Sequence, residues 1–322
     1  MGNSLTHPTY SRILRSKLSC LKHTYLSNRP LRRTIQSIKS NRGTSTPIPQ
    51  DLGFLEALHP LFPTIHTDPQ YEFGILLKKV QERYAYLEQN GVCLKGADVL
   101  DIGAGTGENL WISKEYGFGS ATAVDYSADR YKERLPDLEP DIAARITFLE
   151  GDMETVPLPE NSYDLILSVN SFEHFPDPTA ILQKCFQLLR SGGFFYTHFG
   201  PLFRSAHGAH RYRFCAVPYI QNLFEDPVAY EFFYKILKIN DEVNRYTGES
   251  IDDSNPYPEM NKWTLQQFEN LFRGNGQWEV IQFEKKHSHR FAWFVSLFRE
   301  ELRQYSTEDL YVTELVVILR KK

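Results

Sequence analysis

The sequence of 322 residues lacks any run of about 18 consecutive apolar residues, the length that a membrane-spanning helix needs. Its first fifty residues also lack the uninterrupted apolar core followed by small residues that marks a secretory signal. We therefore expect a chain that neither crosses a bilayer nor is exported, with the cytoplasm as its location.

Cysteine is scarce, and no two cysteines form a C-x-x-C pair. The four cysteines are widely separated: Cys20, Cys93, Cys185 and Cys215. This spacing argues against a disulfide framework and against a structural zinc centre, and it fits a reducing compartment. We expect no metal site.

Acidic residues are absent from residues 1–50, which carry nine Lys or Arg. The rest of the chain holds the remaining 27 basic residues against 40 acidic ones. An acidic body repels a phosphate backbone, so a nucleic-acid partner is not expected, and a small-molecule substrate is. The sequence does not indicate an oligomeric state.

The basic arm has a helical pattern of its own, with Leu14, Leu18, Leu21 and Tyr25 at helical spacing before Pro30. It has three interpretations. A basic amphipathic helix can make weak contact with an anionic membrane surface. An acid-free, Ser- and Arg-rich start can be an organelle presequence. The interpretation we favour is a solvated arm or a packed extra helix.

After Gly91, short apolar runs alternate with helical patterns, which is typical of βαβ units and a parallel sheet. The predicted strands are Asp98–Ile102, Ala121–Asp125, Ile146–Glu150, Tyr163–Asn170, Gly193–His198, Trp278–Glu284 and Leu310–Leu319. The predicted helices are Asp68–Asn90, begun by Asp68 and Pro69, then Glu108–Tyr116, Pro178–Leu189, a stretch around Val228–Ile239, and Phe291–Tyr305. The sequence predicts an α/β fold.

The composition and the secondary-structure patterns of the sequence divide the chain into five parts. They are a basic extension 1–50, a helical segment 51–96, a core 97–199, an insertion 200–275 and a C-terminal part 276–322 that completes the core sheet. Aromatic residues concentrate where the insertion begins, with 13 Phe or Tyr among residues 194–234. Such a helical, aromatic-rich cap would lie where open α/β sheets bind ligands, although most of its rings should form its own core.

The central motif is the run Val99-Leu-Asp-Ile-Gly-Ala-Gly-Thr-Gly-Glu108. A buried strand leads into Gly103, Gly105 and Gly107, where glycine allows a tight turn and close approach of a ligand to the backbone. By itself this turn would also suit a dinucleotide. A dinucleotide loop, however, would place its third glycine at position 108, which is Glu.

Two carboxylates flank this loop, Asp101 before it and Glu108 after it. Beside a pyrophosphate they would weaken binding by repulsion, whereas beside a ligand with an ammonium and a sulfonium they are acceptable or helpful. The loop therefore favours a positively charged ligand.

Polar residues also end the next three strands. Asp125, followed by Tyr126, lies 22 residues after Gly103, where a carboxylate can accept hydrogen bonds from both ribose hydroxyls. Asp152 can accept from an adenine amino group, and Met153 offers a polarisable face to the ring. The fourth strand opens into Asn170.

In this order and spacing, the four elements resemble class I S-adenosylmethionine-dependent methyltransferases, within them the small-molecule group that includes quinone-biosynthetic and natural-product enzymes. The resemblance covers about residues 97–202, including the turn Leu189-Arg-Ser-Gly-Gly-Phe194. It implies a Rossmann-like, seven-stranded, mostly parallel sheet with an antiparallel last strand. It also implies S-adenosyl-L-methionine as cofactor, with these residues around it: Asp101, Gly103 and Gly105 at the methionine part, Asp125 at the ribose, Asp152 and Met153 at the adenine, and Asn170 near the ammonium. Gly107 and Tyr126 complete the expected cofactor-binding residues.

Candidate general bases cluster after the fourth and fifth strands. His198 ends the fifth strand and is our first candidate, followed by His174 and His210, because histidine titrates near neutrality. Glu173 and His207 lie in the same segments. Amine, thiolate or carbanion acceptors would need no base, so one need not exist.

The leading hypothesis is an enzyme that transfers a methyl group to oxygen or carbon of a small molecule. Two alternatives remain open at this stage: an NAD(P)-dependent oxidoreductase, which Asp101 and Glu108 disfavour, and a non-catalytic relative that keeps the fold for binding.

Overall fold

The computed structural model describes residues 52–62, 64, 73–239, 253–274 and 276–322. The helix expected in the basic arm, and the helix start expected at Asp68 and Pro69, lie outside these residues. Among the described helices, none is both long and apolar enough to cross a membrane.

A seven-stranded sheet forms the centre of the molecule, with the strand order β3-β2-β1-β4-β5-β7-β6. The strands are β1 Asp98–Ile102, β2 Ser120–Asp125, β3 Ile146–Glu150, β4 Tyr163–Val169, β5 Leu189–Phe199, β6 Trp278–His287 and β7 Val312–Lys321. The first five run parallel, and β7 pairs antiparallel with both β5 and β6. The predicted α/β, Rossmann-like sheet with an antiparallel last strand is confirmed.

The described helices are α1 Leu52–Leu58, α2 Phe73–Gln89, α3 Asp129–Arg134, α4 Pro140–Ala143, α5 Pro178–Leu188, α6 Ile220–Leu223, α7 Asp226–Tyr230, α8 Leu265–Arg273, α9 Ala292–Leu297 and α10 Thr307–Tyr311. Two of them start at strong caps. The Asp177 side chain accepts from the backbone at the start of α5, and Thr264 and Gln267 form a capping box at the start of α8.

Successive strand residues point to opposite faces, so each face of the sheet has its own core. On one face, Val99 and Leu167 pack with Val80 and Tyr84 of α2. On the other face, buried strand residues such as Ile166 pack with α5 and α8. Asp101 shares the face of Val99, and this places its carboxyl on the α2 side.

The helix predicted over Glu108–Tyr116 is wrong. The segment forms a 3₁₀ turn at Glu108–Leu110 and continues as turns, with bonds such as Ser113 N to Leu110 O at 3.0 Å. Residues 109–113 are all buried, so this stretch has no exposed face, and exposed residues follow only at Lys114 and Glu115. Gly107 precedes the turn in the left-handed region at φ 75° without a side-chain cap. Close packing on all sides outweighs the helical pattern.

Two other predicted helices are shorter than expected. The helix Phe291–Tyr305 is confined to α9, after which the chain turns until α10. The stretch around Val228–Ile239 consists of α7 followed by one π-helical turn, Glu231–Ile236.

A third hydrophobic core lies outside the sheet and is made by α1, by residues 203–239, by Tyr257 and Met260, and by residues 291–310. We call it the cap core. Aromatic rings fill it: the Phe54 and Phe298 ring centroids are 6.1 Å apart, and those of Phe294 and Phe298 are 4.4 Å apart. Most aromatic residues of the insertion are therefore structural. The division into five parts stays a prediction.

Candidate cofactor cleft and neighbouring histidines

An open cleft lies at the carboxyl ends of β1 and β4, beside α2. Its lining residues are Leu76, Lys79, Val80, Arg83, Gly103, Ala104, Gly105, Thr106, Glu108, Arg130, Val169 and Asn170. Of the predicted cofactor residues, Gly103, Gly105 and Asn170 line the cleft directly. This is the edge at which open α/β sheets bind ligands.

The glycine loop has little room for side chains. A Cβ on Gly103 would lie 2.4 Å from the Cβ of Ser171, and the residue has φ 65°. Gly105 has φ 56° and donates its N–H to Asp125 Oδ2 at 2.8 Å. A Cβ on Gly107, at φ 75°, would lie 3.0 Å from the Tyr131 ring. The loop therefore needs glycine for conformation and for space.

Asp101 is fully buried directly before this loop. Its Oδ2 accepts a hydrogen bond from Asn109 Nδ2 at 2.8 Å, whereas its Oδ1 has no partner among the described residues. Burial raises the pKa of Asp101 to about 8, and the Asn109 hydrogen bond opposes this shift only in part. An unpartnered buried carboxyl oxygen is suited to a cationic ligand group.

Asp125 lies at the end of β2 and holds the loop through Gly105. Its Oδ1 also accepts from Ser127 N at 3.3 Å. Each carboxylate oxygen has a further lone pair, so hydroxyl donors can still bind.

The next strand end brings Tyr126 and Asp152 together. Burial, the charge of Asp152 and a hydrogen bond to it raise the pKa of Tyr126 to about 12. Asp152 Oδ1 caps the following turn through Glu154 N at 2.8 Å, and Met153 is buried in the sheet core. Tyr126 follows β2, Asp152 and Met153 follow β3, and none of the three is among the residues that line the cleft.

Three cationic residues of the cleft were missed by the sequence analysis: Lys79, Arg83 and Arg130. Arg83 donates to Asn109 Oδ1, which links α2 to the loop and through it to Asp101. The available signal was the pair Lys79 and Arg83 at i, i+4 spacing beside the apolar stripe of the predicted helix. The cleft therefore contains both signs of charge, since Glu108 lies beside these three cationic residues.

Both signs of charge fit the amino-acid end of S-adenosylmethionine, in which a carboxylate stands beside an ammonium and a sulfonium. Lys79 and Arg83 of the cleft can pair with the carboxylate, and Asp101 Oδ1, which has no partner among the described residues, lies directly before the glycine loop as an acceptor that an ammonium could use. A pyrophosphate binds well at the N-terminus of a long α-helix, where free N–H groups point at the phosphates. Here the loop leads only into the 3₁₀ turn Glu108–Leu110, so it does not offer such an N-terminus. The residues present fit the cofactor.

The loop after β4 is held from two sides. Asn170, at φ 51°, donates its N–H to His198 O at 2.9 Å. Asn261 Nδ2 donates to the carbonyls of Phe172 and Phe175 at 2.9 and 3.2 Å. The loop is thereby fixed between β5 and the chain that precedes α8.

His198 lies on β5, next to the cleft residue Val169 in the sheet register. Its Nε2 is 2.9 Å from Glu314 Oε2 on β7, and this hydrogen bond lowers the pKa of Glu314. His198 is not one of the residues that line the cleft. Its role as a base stays a prediction.

His174 and His210 lie together on the far side of the same loop, with ring centroids 5.0 Å apart. Burial lowers the pKa of His210 to about 3 and that of His207 to about 4. A general base works best with a pKa near the working pH, so His207 and His210 are weak candidates for the base. The structure leaves His198 and His174 as the better candidates.

Residues 100–197 match the family model described as a methyltransferase domain. A 96-residue stretch is 32% identical to 2-methyl-6-phytyl-1,4-hydroquinone methyltransferase 2, chloroplastic, from Oryza sativa, covering 30% of this chain and 27% of that protein. A 105-residue stretch is 37% identical to the ubiquinone biosynthesis O-methyltransferase of Xylella fastidiosa, covering 32% of this chain and 41% of that protein. The chain thus spans less than half the length of these relatives.

A putative sarcosine dimethylglycine methyltransferase from Galdieria sulphuraria is a solved structure that covers 80% of this chain and 92% of its own, at 16% identity and a TM-score of 0.48. The domain match lies on β1 to β5, which carry the glycine loop and the acidic strand ends. Residues 100–197 are a methyltransferase domain set within a longer chain.

Proposed function

We propose that this protein is an S-adenosylmethionine-dependent methyltransferase whose acceptor is a small molecule of the phenol or hydroquinone class, methylated at oxygen or carbon. The observation that carries the proposal is the cleft, which is lined by the glycine loop and by Lys79 and Arg83 of the facing helix. Asp125 binds this loop, and Asp101, directly before it, has an oxygen without a partner among the described residues.

Each side of the cleft has a separate task in this proposal. Lys79 and Arg83 hold the carboxylate of the cofactor, and Asp101 holds its ammonium. Asp125 holds the ribose, while Asp152 and Met153 hold the adenine. The bound cofactor supplies an electrophilic methyl group, so the protein has to align the acceptor, exclude water and remove a proton from a hydroxyl acceptor.

The acceptor class is supported by the names of the relatives, two of which act on a hydroquinone or in ubiquinone biosynthesis. A phenolic hydroxyl loses its proton only to a nearby base or on activation of the ring. His198 is the candidate base, since its Nε2 is paired with Glu314 and it stands beside Val169 of the cleft. An imidazole held by a carboxylate is a suitable proton acceptor.

Two measurements test this function. Calorimetry should show that S-adenosylhomocysteine binds at one site per chain, and mass spectrometry should show that a panel of hydroquinones, catechols and N-methylglycines gains one methylene from S-adenosylmethionine. Methylation of the phenolic members supports the proposal. Methylation of the amines alone would refute the acceptor class, and stabilisation by NAD(P)H but not by S-adenosylhomocysteine would refute the methyltransferase itself.

We propose that the protein is located in the cytoplasm. We also propose that it binds no nucleic acid, because the body of the chain carries an excess of acidic residues, which a phosphate backbone repels. A fluorescent fusion of residues 1–50 tests the location. Import of the fusion into an organelle, or its recruitment to anionic vesicles, would refute this assignment.

A further inference from the structure

We propose that Glu173, His174 and His210 bind a divalent transition-metal ion. The carboxylate and the two imidazoles each offer one ligand atom, and these atoms all lie within 4.8 Å of one another. This differs from the expectation of no metal, which followed from the scattered cysteines and from the fact that spacing along the chain does not show whether distant ligands converge.

The backbone contacts of the two histidines set their tautomers. His174 Nδ1 lies 2.6 Å from Glu259 O, and His210 Nε2 lies 2.9 Å from Pro201 O. A carbonyl oxygen can only accept, so these nitrogens carry the protons and the opposite nitrogen of each neutral ring holds a lone pair. Metal-binding histidines are typically oriented in this way, by a hydrogen bond from the second ring nitrogen.

Glu173 supplies the negative charge. It is buried, its Oε1 accepts from Gly200 N at 3.2 Å, and its Oε2 has no hydrogen-bond partner among the described residues. A buried carboxylate without a strong partner is destabilising unless a cation or a proton neutralises it. A metal ion at Oε2 would provide that neutralisation.

The loops that carry the ligands are rigid. The side-chain amide of Asn261 donates to the carbonyls of Phe172 and Phe175, which flank Glu173. The backbone N–H of Asn261 donates to Glu173 O at 3.0 Å. His210 is held at φ 53°, and Gly208, two residues before it, packs so closely that a Cβ would lie 2.1 Å from Leu202 O. Such pre-organised loops favour binding at a fixed geometry.

Two nitrogens and one carboxylate oxygen are ligands for Zn²⁺, Co²⁺, Fe²⁺ or Mn²⁺, whereas Mg²⁺ and Ca²⁺ prefer oxygen alone. Tetrahedral ligands at about 2.0–2.2 Å from a zinc ion stand roughly 3.4 Å apart, so ligand atoms that lie within 4.8 Å of one another would have to approach by at most about 1.4 Å to bind it. With three protein ligands, a fourth position stays open to solvent or to a bound small molecule.

The test uses the full-length protein, stripped of metal with a chelator and dialysed. We expect Zn²⁺ to bind at one ion per chain in calorimetry, and Co²⁺ to give the visible absorption of a tetrahedral site. Glu173→Gln and His210→Asn should each weaken Zn²⁺ binding by about a hundredfold or more, because each removes a ligand. Asparagine is chosen for position 210 because it tolerates the left-handed region.

The control is His289→Asn, which removes an exposed histidine whose ring stands 6.4 Å from that of His287. Loss of Zn²⁺ binding in His289→Asn but not in Glu173→Gln would assign the metal to that surface pair and overturn the proposal. Absence of stoichiometric binding would overturn it as well. If circular dichroism shows that either ligand variant is unfolded, His174→Gln at a half-exposed position provides the same comparison.

Discussion

The backbone N–H of Gly105 donates to Asp125 Oδ2 at 2.8 Å, and this contact joins the glycine loop after β1 to the end of β2. One side chain therefore both shapes the loop and offers its remaining lone pairs to a ligand. Replacement of Asp125 should affect loop and ligand together.

We expect Asp125→Ala to weaken S-adenosylhomocysteine binding by about ten- to a hundredfold, the loss of one or two charge-assisted hydrogen bonds. Isothermal titration measures the change. Asp129→Ala, an exposed carboxylate four residues further on, is the matched control and should bind as the wild type does. Equal affinity in Asp125→Ala would contradict the ribose assignment.

Arg83 should recognise the carboxylate of the cofactor. Arg83→Met is expected to weaken S-adenosylhomocysteine binding by about tenfold or more, but to leave binding of 5′-methylthioadenosine, which has no amino-acid part, nearly unchanged. Lys78→Met serves as control, since Lys78 is exposed and pairs with Glu82. An equal loss for both ligands would show that Arg83 acts only by holding Asn109.

Gly103 is required for space as well as for conformation. Gly103→Ala should lower the free energy of unfolding by about 1–2 kcal/mol for the left-handed conformation and by about 1–3 kcal/mol more for the contact with Ser171. Gly91→Ala isolates the first of these effects, because Gly91 has φ 87° and no atom within 4 Å of an added Cβ. Urea unfolding compares the two, and equal losses would contradict crowding at Gly103.

The buried Asp101 carboxyl should make stability depend on pH. Its pKa is about 8 in the folded chain and about 3.9 in the unfolded chain, so the folded state holds the proton more tightly and loses stability as pH rises from about 4 to 8. Asp101→Asn should reduce this decline in urea unfolding, and the part that remains is expected from Glu173, whose pKa burial also raises.

A carboxyl on the same strand serves as control. Hydrogen bonds from Ser120 and Arg190 lower the pKa of Asp98, so the contribution of Asp98 changes only below about pH 4. Asp98→Asn should therefore keep the wild-type decline between about pH 5 and 8. A decline in Asp101→Asn as large as that of the wild type would contradict the prediction.

His198 should affect turnover more than binding. We expect His198→Gln to lower kcat on a phenolic acceptor by about a hundredfold or more while S-adenosylhomocysteine affinity stays unchanged. His287→Gln removes another histidine paired with a carboxylate, here Glu308, and should leave kcat unchanged. Unchanged kcat in His198→Gln would exclude it as the base.

Local patterns in the sequence were sufficient for most of the sheet. The strands Asp98–Ile102 and Ile146–Glu150 have the predicted bounds, because a short apolar run between turn residues indicates a buried strand without knowledge of its neighbours. The prediction of a helix over Glu108–Tyr116 was wrong for the opposite reason. The helical pattern of this segment is local, whereas the burial of residues 109–113 on all sides depends on α2 and on the sheet.

The sequence by itself determined the α/β fold, the glycine loop and the acids that end β2 and β3, because each of these depends on neighbouring residues in the chain. The tertiary structure decided which distant residues meet. It placed Lys79 and Arg83 beside the loop, and it brought His210 to Glu173 and His174 through a turn around Gly208. Such contacts follow from the packing of whole elements, and no spacing within one segment predicts them.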